Sequence, residues 1–385
     1  MVAVSLPTAD RRIEHYRLGP ASPFPARAAG GFPRIAYAAA HVVADPLADL
    51  APWQQSAVDW DATMAFRRHL WGLGLKIAEA MDTSQRGMGL DWPGARELIR
   101  RSHAEARTIE GADLACGIGT DQITPGGALD DVRRAYLEQL EVVEAVGGRA
   151  ILMASRALVR AARSADDYLA LYGELIRQAR QPVILHWLGD MFDPQLAGYW
   201  GSTDLDAATR TVLALIREHA QRIDGIKISL LEEAREVALR RQLPPGVKMY
   251  TGDDFNYARL IEGDGRHHSH ALLGIFDPIA PAAATALQAL GAGDRDRFAT
   301  VLEPTVALSR KIFEAPTQYY KTGVVLLAWL NGHQRHFAML GGMQSARSVL
   351  HHADVFRLAD QAGLLRDPAL AAARMSGLMA LHGLE

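Results

Sequence analysis

Apolar positions along the chain come in short bursts. After residue 33, apolar or β-branched runs recur at 34–42 (RIAYAAAHV), 75–82 (LKIAEAMD), 112–119 (ADLACGIG) and 149–155 (RAILMAS). Four more follow at 182–188 (PVILHWL), 224–229 (DGIKIS), 247–252 (VKMYTG) and 269–276 (SHALLGIF). Runs this short, bounded by turn residues, read as buried strands. The intervals have another period: WPGARELIRRSHAEAR and ALDDVRRAYLEQLEVVEAV space apolar residues three and four apart among charged ones, as helices with one buried face do. Eight strand-like runs alternating with helical segments predict an α/β fold, and eight closes a (β/α)8 TIM barrel. An open doubly wound sheet is the competing architecture. The expected organisation is an irregular N-terminal arm at 1–33, a (β/α)8 barrel at 34–295, and C-terminal helices packed on the barrel at 296–385.

Composition narrows the function. The chain has 385 residues, 49% hydrophobic, which is ample for a full core. A net charge of -3 offers no basic surplus to a phosphate backbone, so no nucleic-acid partner is expected. The longest apolar stretch, GVVLLAWL at 323–330, is far below the roughly 20 residues that span a bilayer. Cys116 is the single cysteine, which fits a reducing compartment, and MVAVSLPTADRR lacks the cationic start of a secretory signal. These features predict a cytoplasmic protein that acts on a small molecule.

The sixth run poses a chemical question. In IDGIKIS, alternate residues share a face, so Ile226 and Ile228 point outward while Gly225, Lys227 and Ser229 point into the barrel. A lysine is almost never buried without a partner or a purpose. One purpose is ordinary: Lys227 reaches water at a strand end or pairs with a carboxylate such as Asp253. The other is a nucleophilic amine, because desolvation lowers the lysine pKa and frees the lone pair.

The surrounding residues carry a resemblance. GIKIS, then LPPGVKMYTGDDF, then LQALGAGDRDRFATVLEPTVALSRKIF, resemble the dihydrodipicolinate synthase and N-acetylneuraminate lyase family over residues 34–370. That resemblance implies a class I, Schiff-base-forming lyase, aldolase or dehydratase on a TIM barrel, acting on pyruvate or a related 2-oxo acid. It implies Lys227 as the imine-forming residue, no cofactor and no metal, and a homo-oligomer, dimer or tetramer. It also implies that Thr83 and Ser84, after the second run, hold the substrate carboxylate. Gly252, with Asp253 or Asp254, would then meet the distal substrate. The pattern departs from the family in two places. The usual GTTGE is replaced by DTSQR, with Asp82 at the first glycine and Arg86 near the glutamate. The fifth run reads PVILHW, which puts His186 where the family has a proton-relaying tyrosine. Histidine is a competent acid and base near neutrality, so His186 is the expected relay, with Tyr250 and Tyr257 as spare phenols.

Two other readings stay open. His41, Asp82, Asp121 and His186 could all lie at strand ends, as the ligands of a metal-dependent hydrolase or isomerase do. A catalytically inactive barrel that binds a small acid also fits the altered motifs. RHHSH at 266–270 and the pair His351-His352 invite a metal reading, but RHHSH precedes the eighth run, on the face away from a barrel's chemistry.

Overall fold

The computed structural model describes residues 2–25 and 31–384. Its centre is a closed barrel of parallel strands. These are β3 (Ala36–Ala39), β4 (Lys76–Glu79), β5 (Leu114–Ile118), β6 (Arg149–Leu152), β7 (Val183–Leu188), β8 (Ile223–Ser229), β9 (Lys248–Thr251) and β10 (His270–Leu273). They pair in chain order, and β10 closes on β3. Seven fall inside their apolar runs, β8 begins one residue before its run, and helices separate them. The fold is therefore a (β/α)8 TIM barrel with extra C-terminal helices.

Helix boundaries follow local chemistry. Helix Trp92–Ala106 begins where Asp91 accepts a hydrogen bond from Gly94 N at 2.9 Å, with Pro93 in its first turn. Helix Leu205–Glu218 starts the same way at Asp204. The barrel interior is filled by alternate residues of most strands, among them Tyr37, Ala78, Ala115, Ile151, Ile184, Tyr250 and Leu272. On β8 the corresponding position is Gly225, where an added Cβ would lie 2.7 Å from the Tyr250 ring. The ring occupies the space that this glycine leaves.

One irregularity sets the phase of β8. Val183 pairs with Ile223, but Ile184 pairs with Gly225, so Asp224 is an extra residue bulged out of the ladder. Above the bulge the register is regular, and His186 pairs with Lys227.

The strands and the segments between β4 and β10 form one compact unit, residues 34–40 and 76–274. The other unit contains residues 41–75, residues 275–384 and the N-terminal segment. Residues 3–17, expected to be irregular, form an antiparallel hairpin of β1 (Ala3–Pro7) and β2 (Ile13–Arg17). The alternating Val4 and Leu6 are buried, whereas β2 reads IEHYR and is mostly exposed, so its period is masked. Within this unit the hairpin is tied down by Tyr16 Oη donating to Asp360 at 2.8 Å and by the Arg357–Glu14 ion pair at 2.7 Å. The rest of the expected arm falls partly at residues 26–30, outside the described residues. GVVLLAWL lies in the buried helix Tyr320–Leu330, and no helix among the described residues is long and apolar enough to cross a membrane.

Candidate active site

Lys227 lies on β8 with 7% of its surface exposed, and its amine makes no hydrogen bond or ion pair among the described residues. Burial lowers its pKa from the usual lysine range, while the charges of Asp254 and Asp82 pull it partly back. Room for the side chain comes from the adjacent strand end. A Cβ on Gly252 would lie 2.6 Å from Lys227 Cε and closer still to Ser229 Oγ, so only glycine fits there. The same contact places the Ser229 hydroxyl beside the end of the lysine chain.

His186, in register with Lys227 one strand away, is buried. Paired strands lie about 4.8 Å apart, so the imidazole and the lysine share one side of the barrel. His186 Nε2 is 3.3 Å from Ser229 Oγ, and Nδ1 is buried without a hydrogen-bond partner among the described residues. Burial first, then the charge of Lys227, holds the imidazole well below its usual pKa, so it is neutral at pH 7. Lys227, Ser229 and His186 thus face one interior, with Ser229 hydrogen-bonded to His186, an orientation that strand alternation predicts for Lys227 and Ser229.

The segment after β4 is tightly constrained. Asp82–Ser84 form a single 3-10 turn, flanked by Ala80 at φ 52° and Gln85 at φ 63°, both left-handed and both buried. Such conformations persist only where surrounding contacts impose them. Here Arg86 supplies one: its guanidinium donates to Gly117 O at 2.8 Å and to Gln139 Oε1 at 2.8 Å, pairs with Asp121, and lies over the Trp92 ring. Arg86 is held by protein groups on several sides. Thr83 and Ser84 are both buried, and the Ser84 hydroxyl donates to Ala40 O at 2.8 Å.

After β9, the two aspartates separate in role. The Asp253 carboxylate accepts from Phe255 N at 2.9 Å, from Asn256 N at 3.0 Å and from Asn256 Nδ2 at 2.8 Å, closing its own turn. Asp254, also buried, is the one whose charge reaches Lys227. Tyr250 faces the opposite end of the barrel and donates to Asp224 at 2.6 Å, which removes it as a relay at Lys227. Tyr257 is buried in helix Tyr257–Glu262.

A cavity of about 290 Å³ opens at the C-terminal ends of β4 to β7. Of the residues singled out from the sequence, Asp82, Arg86, Asp121 and His186 line it. Lys227, Thr83, Ser84, Gly252, Asp253 and Asp254 do not. The rest of the wall was not identified from sequence. Thr120 and Ser155 meet there at 2.6 Å, and Arg156 pairs with Asp193 at 2.5 Å. Asp193 and Leu196 come from the segment 188–204, which is anchored by Trp200 against Tyr172 at 4.8 Å between ring centroids. A cluster of aromatic residues in LYGEL and AGYWG was the available signal, but their pairing is non-local.

Three other histidines have local partners. His270 Nδ1 accepts from Ile35 N at 3.0 Å below the barrel, and His351 pairs with Glu314 at 2.8 Å. His41 Nδ1 is 2.8 Å from Asp277, while Asp121 is committed to Arg86. Among the described residues no group of three His, Cys, Asp or Glu is arranged to hold a metal ion.

Comparison with known proteins places this geometry in context. The family model described as "Protein of unknown function (DUF993)" matches residues 4–384. No curated protein matches the chain. Among solved structures, a dihydrodipicolinate synthase from Bacillus clausii is 17% identical, covering 84% of this chain and 96% of that one, with a TM-score of 0.62. A prophage protein of the dihydrodipicolinic acid synthase family from E. coli K12, solved in complex with pyruvate, is 12% identical. It covers 91% of this chain and 99% of that one, at a TM-score of 0.63. The dihydrodipicolinate synthase from Aquifex aeolicus is 12% identical over 91% and 98%, at 0.61. At these identities what is shared is the fold, and the chain is a divergent holder of it.

Proposed function

We propose that this chain, which belongs to the DUF993 family, is an imine-forming lyase, aldolase or dehydratase that acts on pyruvate or a related 2-oxo acid. The observation that carries the reading is Lys227: a buried amine with a depressed pKa and no hydrogen bond, facing a neutral imidazole across one strand. The cost of burying an unpaired amine is readily understood if its neutral form is the working one. The solved relative in complex with pyruvate supports the substrate class.

In the proposed reaction, neutral Lys227 Nζ attacks the keto carbon and the carbonyl oxygen leaves as water. The resulting protonated imine draws electrons from the adjacent carbon, so a bond to that carbon can break or form. His186 moves the protons, and Ser229 fixes its orientation through Nε2. Thr83 holds the carboxylate, joined by Ser84 once it exchanges its bond to Ala40. Asp254, near Lys227, and the polar wall of Thr120, Ser155 and Asp121 suit a hydroxylated second part of the substrate. The family resemblance read from the sequence supports a homo-oligomer, and the single cysteine and the lack of a cationic start support a cytoplasmic location.

Borohydride reduction with pyruvate and larger 2-oxo acids, read by intact mass, tests the reading. One covalent adduct on Lys227 is expected, absent from Lys227→Ala. No adduct with any 2-oxo acid, or an adduct that survives the substitution, removes the imine mechanism.

A further inference from the structure

The unit of residues 41–75, residues 275–384 and the N-terminal segment encloses a cavity of its own, of about 160 Å³. Its walls are flat. The Phe66 and His333 ring centroids lie 5.2 Å apart, His69 and His333 lie 4.4 Å apart, and Phe24 adds another ring. Burial lowers the pKa of His69 to about 4 and that of His333 to about 2, so these imidazoles are neutral aromatic surfaces at pH 7.

Three polar groups in this lining have no protein partner among the described residues. Asp277 is buried, and its Oδ2 takes both the backbone N and the ring Nδ1 of His41 at 2.8 Å. Its Oδ1 is buried without any donor, and His69 Nε2 is likewise unpartnered. Buried acceptors left unsatisfied are uncommon in native structures and call for a specific explanation. Arg366 is exposed, and among the described residues its guanidinium makes no hydrogen bond or ion pair. Its backbone N donates to Asn331 Oδ1 at 3.0 Å, which fixes where the side chain starts.

Size and chemistry together select a ligand class. An apolar cavity of about 150 Å³ holds a benzene molecule, so this one fits a single six-membered ring. Ring faces favour a planar aromatic guest. A guanidinium without a carboxylate favours an anion that can accept two N–H groups. A buried carboxylate oxygen without a donor favours a guest that supplies one. We propose that this cavity binds a small aromatic acid, its carboxylate on Arg366 and a ring hydroxyl donating to Asp277.

The test is calorimetric titration of the full chain with 3- and 4-hydroxybenzoate, using benzoate and phenol as comparators. At least one hydroxybenzoate is expected to bind one to one with a Kd below about 1 mM, the range open to a guest of this size. Benzoate and phenol should each bind about tenfold more weakly, since each lacks one of the two polar contacts. Arg366→Gln, at an exposed and unbonded side chain, should keep the wild-type melting temperature and weaken binding about tenfold. Lys227→Ala, in the barrel, should leave binding unchanged. Absence of binding, indifference to Arg366→Gln, or loss in Lys227→Ala would each overturn the assignment.

Discussion

Two lysines on adjacent strands of the same barrel live in opposite circumstances. Lys248, at the N-terminal end of β9, donates to Asp224 at 2.9 Å, beside the Tyr250 phenol on the same carboxylate, with Arg149 also in reach at 3.5 Å. Lys227, at the C-terminal end of β8, is more deeply buried and has no such partner. The lower end gives its lysine a carboxylate partner, whereas Lys227 has none among the described residues. Left-handed backbone at Ala80 and Gln85 and the unpartnered His186 Nδ1 collect at the same upper end. Left-handed backbone and unmet bonding of this kind cluster at functional sites, which is what the proposed reading of this end rests on.

Replacing each lysine by methionine should separate the two ends most widely. Lys227→Met is expected to abolish the borohydride adduct and turnover, yet to raise the melting temperature at pH 7. A lysine with a depressed folded pKa weakens the fold below its ordinary value of 10.5, and that penalty fades as pH approaches 10.5. The gain in Lys227→Met should therefore shrink between pH 7 and pH 10. Lys248→Met should do the reverse, lowering the melting temperature with turnover preserved. Matching effects of the two substitutions would erase the distinction.

His186→Asn is next in size. It should lower kcat by roughly 10²-fold or more, the scale of a lost acid or base, while Lys227 still traps substrate. Its stability curve carries a second signature. The unfolded chain takes up a proton near 6.5 that buried His186 refuses, so wild-type stability falls as pH drops below 6.5. In His186→Asn that fall should be shallower in thermal melts from pH 7 to pH 5. Unchanged kcat would return His186 to the core.

Gly252→Ala puts a carbon against Lys227 Cε and Ser229 Oγ, an overpacking of about 1–3 kcal/mol that should also slow adduct formation in stopped borohydride assays. Tyr250→Phe, at the lower end, removes one hydrogen bond to Asp224. It should cost about 1 kcal/mol in denaturant melts and leave kcat alone. A loss of turnover there would mean that the two ends are coupled.

Much of this contrast was legible in the sequence. Eight apolar runs located eight strands, and simple alternation along IDGIKIS turned Lys227 inward. What stayed hidden depends on contacts between distant residues. Asp253 and Asp254 are indistinguishable in TGDD until a turn uses the first and leaves the second near the lysine. Arg86 reads as a free cation until Asp121, thirty-five residues on, closes on it. The cavity wall contributed by residues 188–204 has no period at all, because Trp200 and Tyr199 are held by Tyr168 and Tyr172 from an earlier helix. The β1–β2 hairpin escaped for a simpler reason: its outer strand is too exposed to alternate visibly.

The bulge at Asp224 uncouples the two ends of its strand. Strict alternation would force a choice, because residues 224 and 227 differ by an odd step and belong to opposite faces. One inserted residue dissolves that conflict, letting a single strand offer an acid at its base and an amine at its tip to the same interior. The base can then be rewritten without rotating the tip. Substitutions in the anchoring set of Asp224, Lys248 and Tyr250 should therefore leave the amine at the tip unmoved.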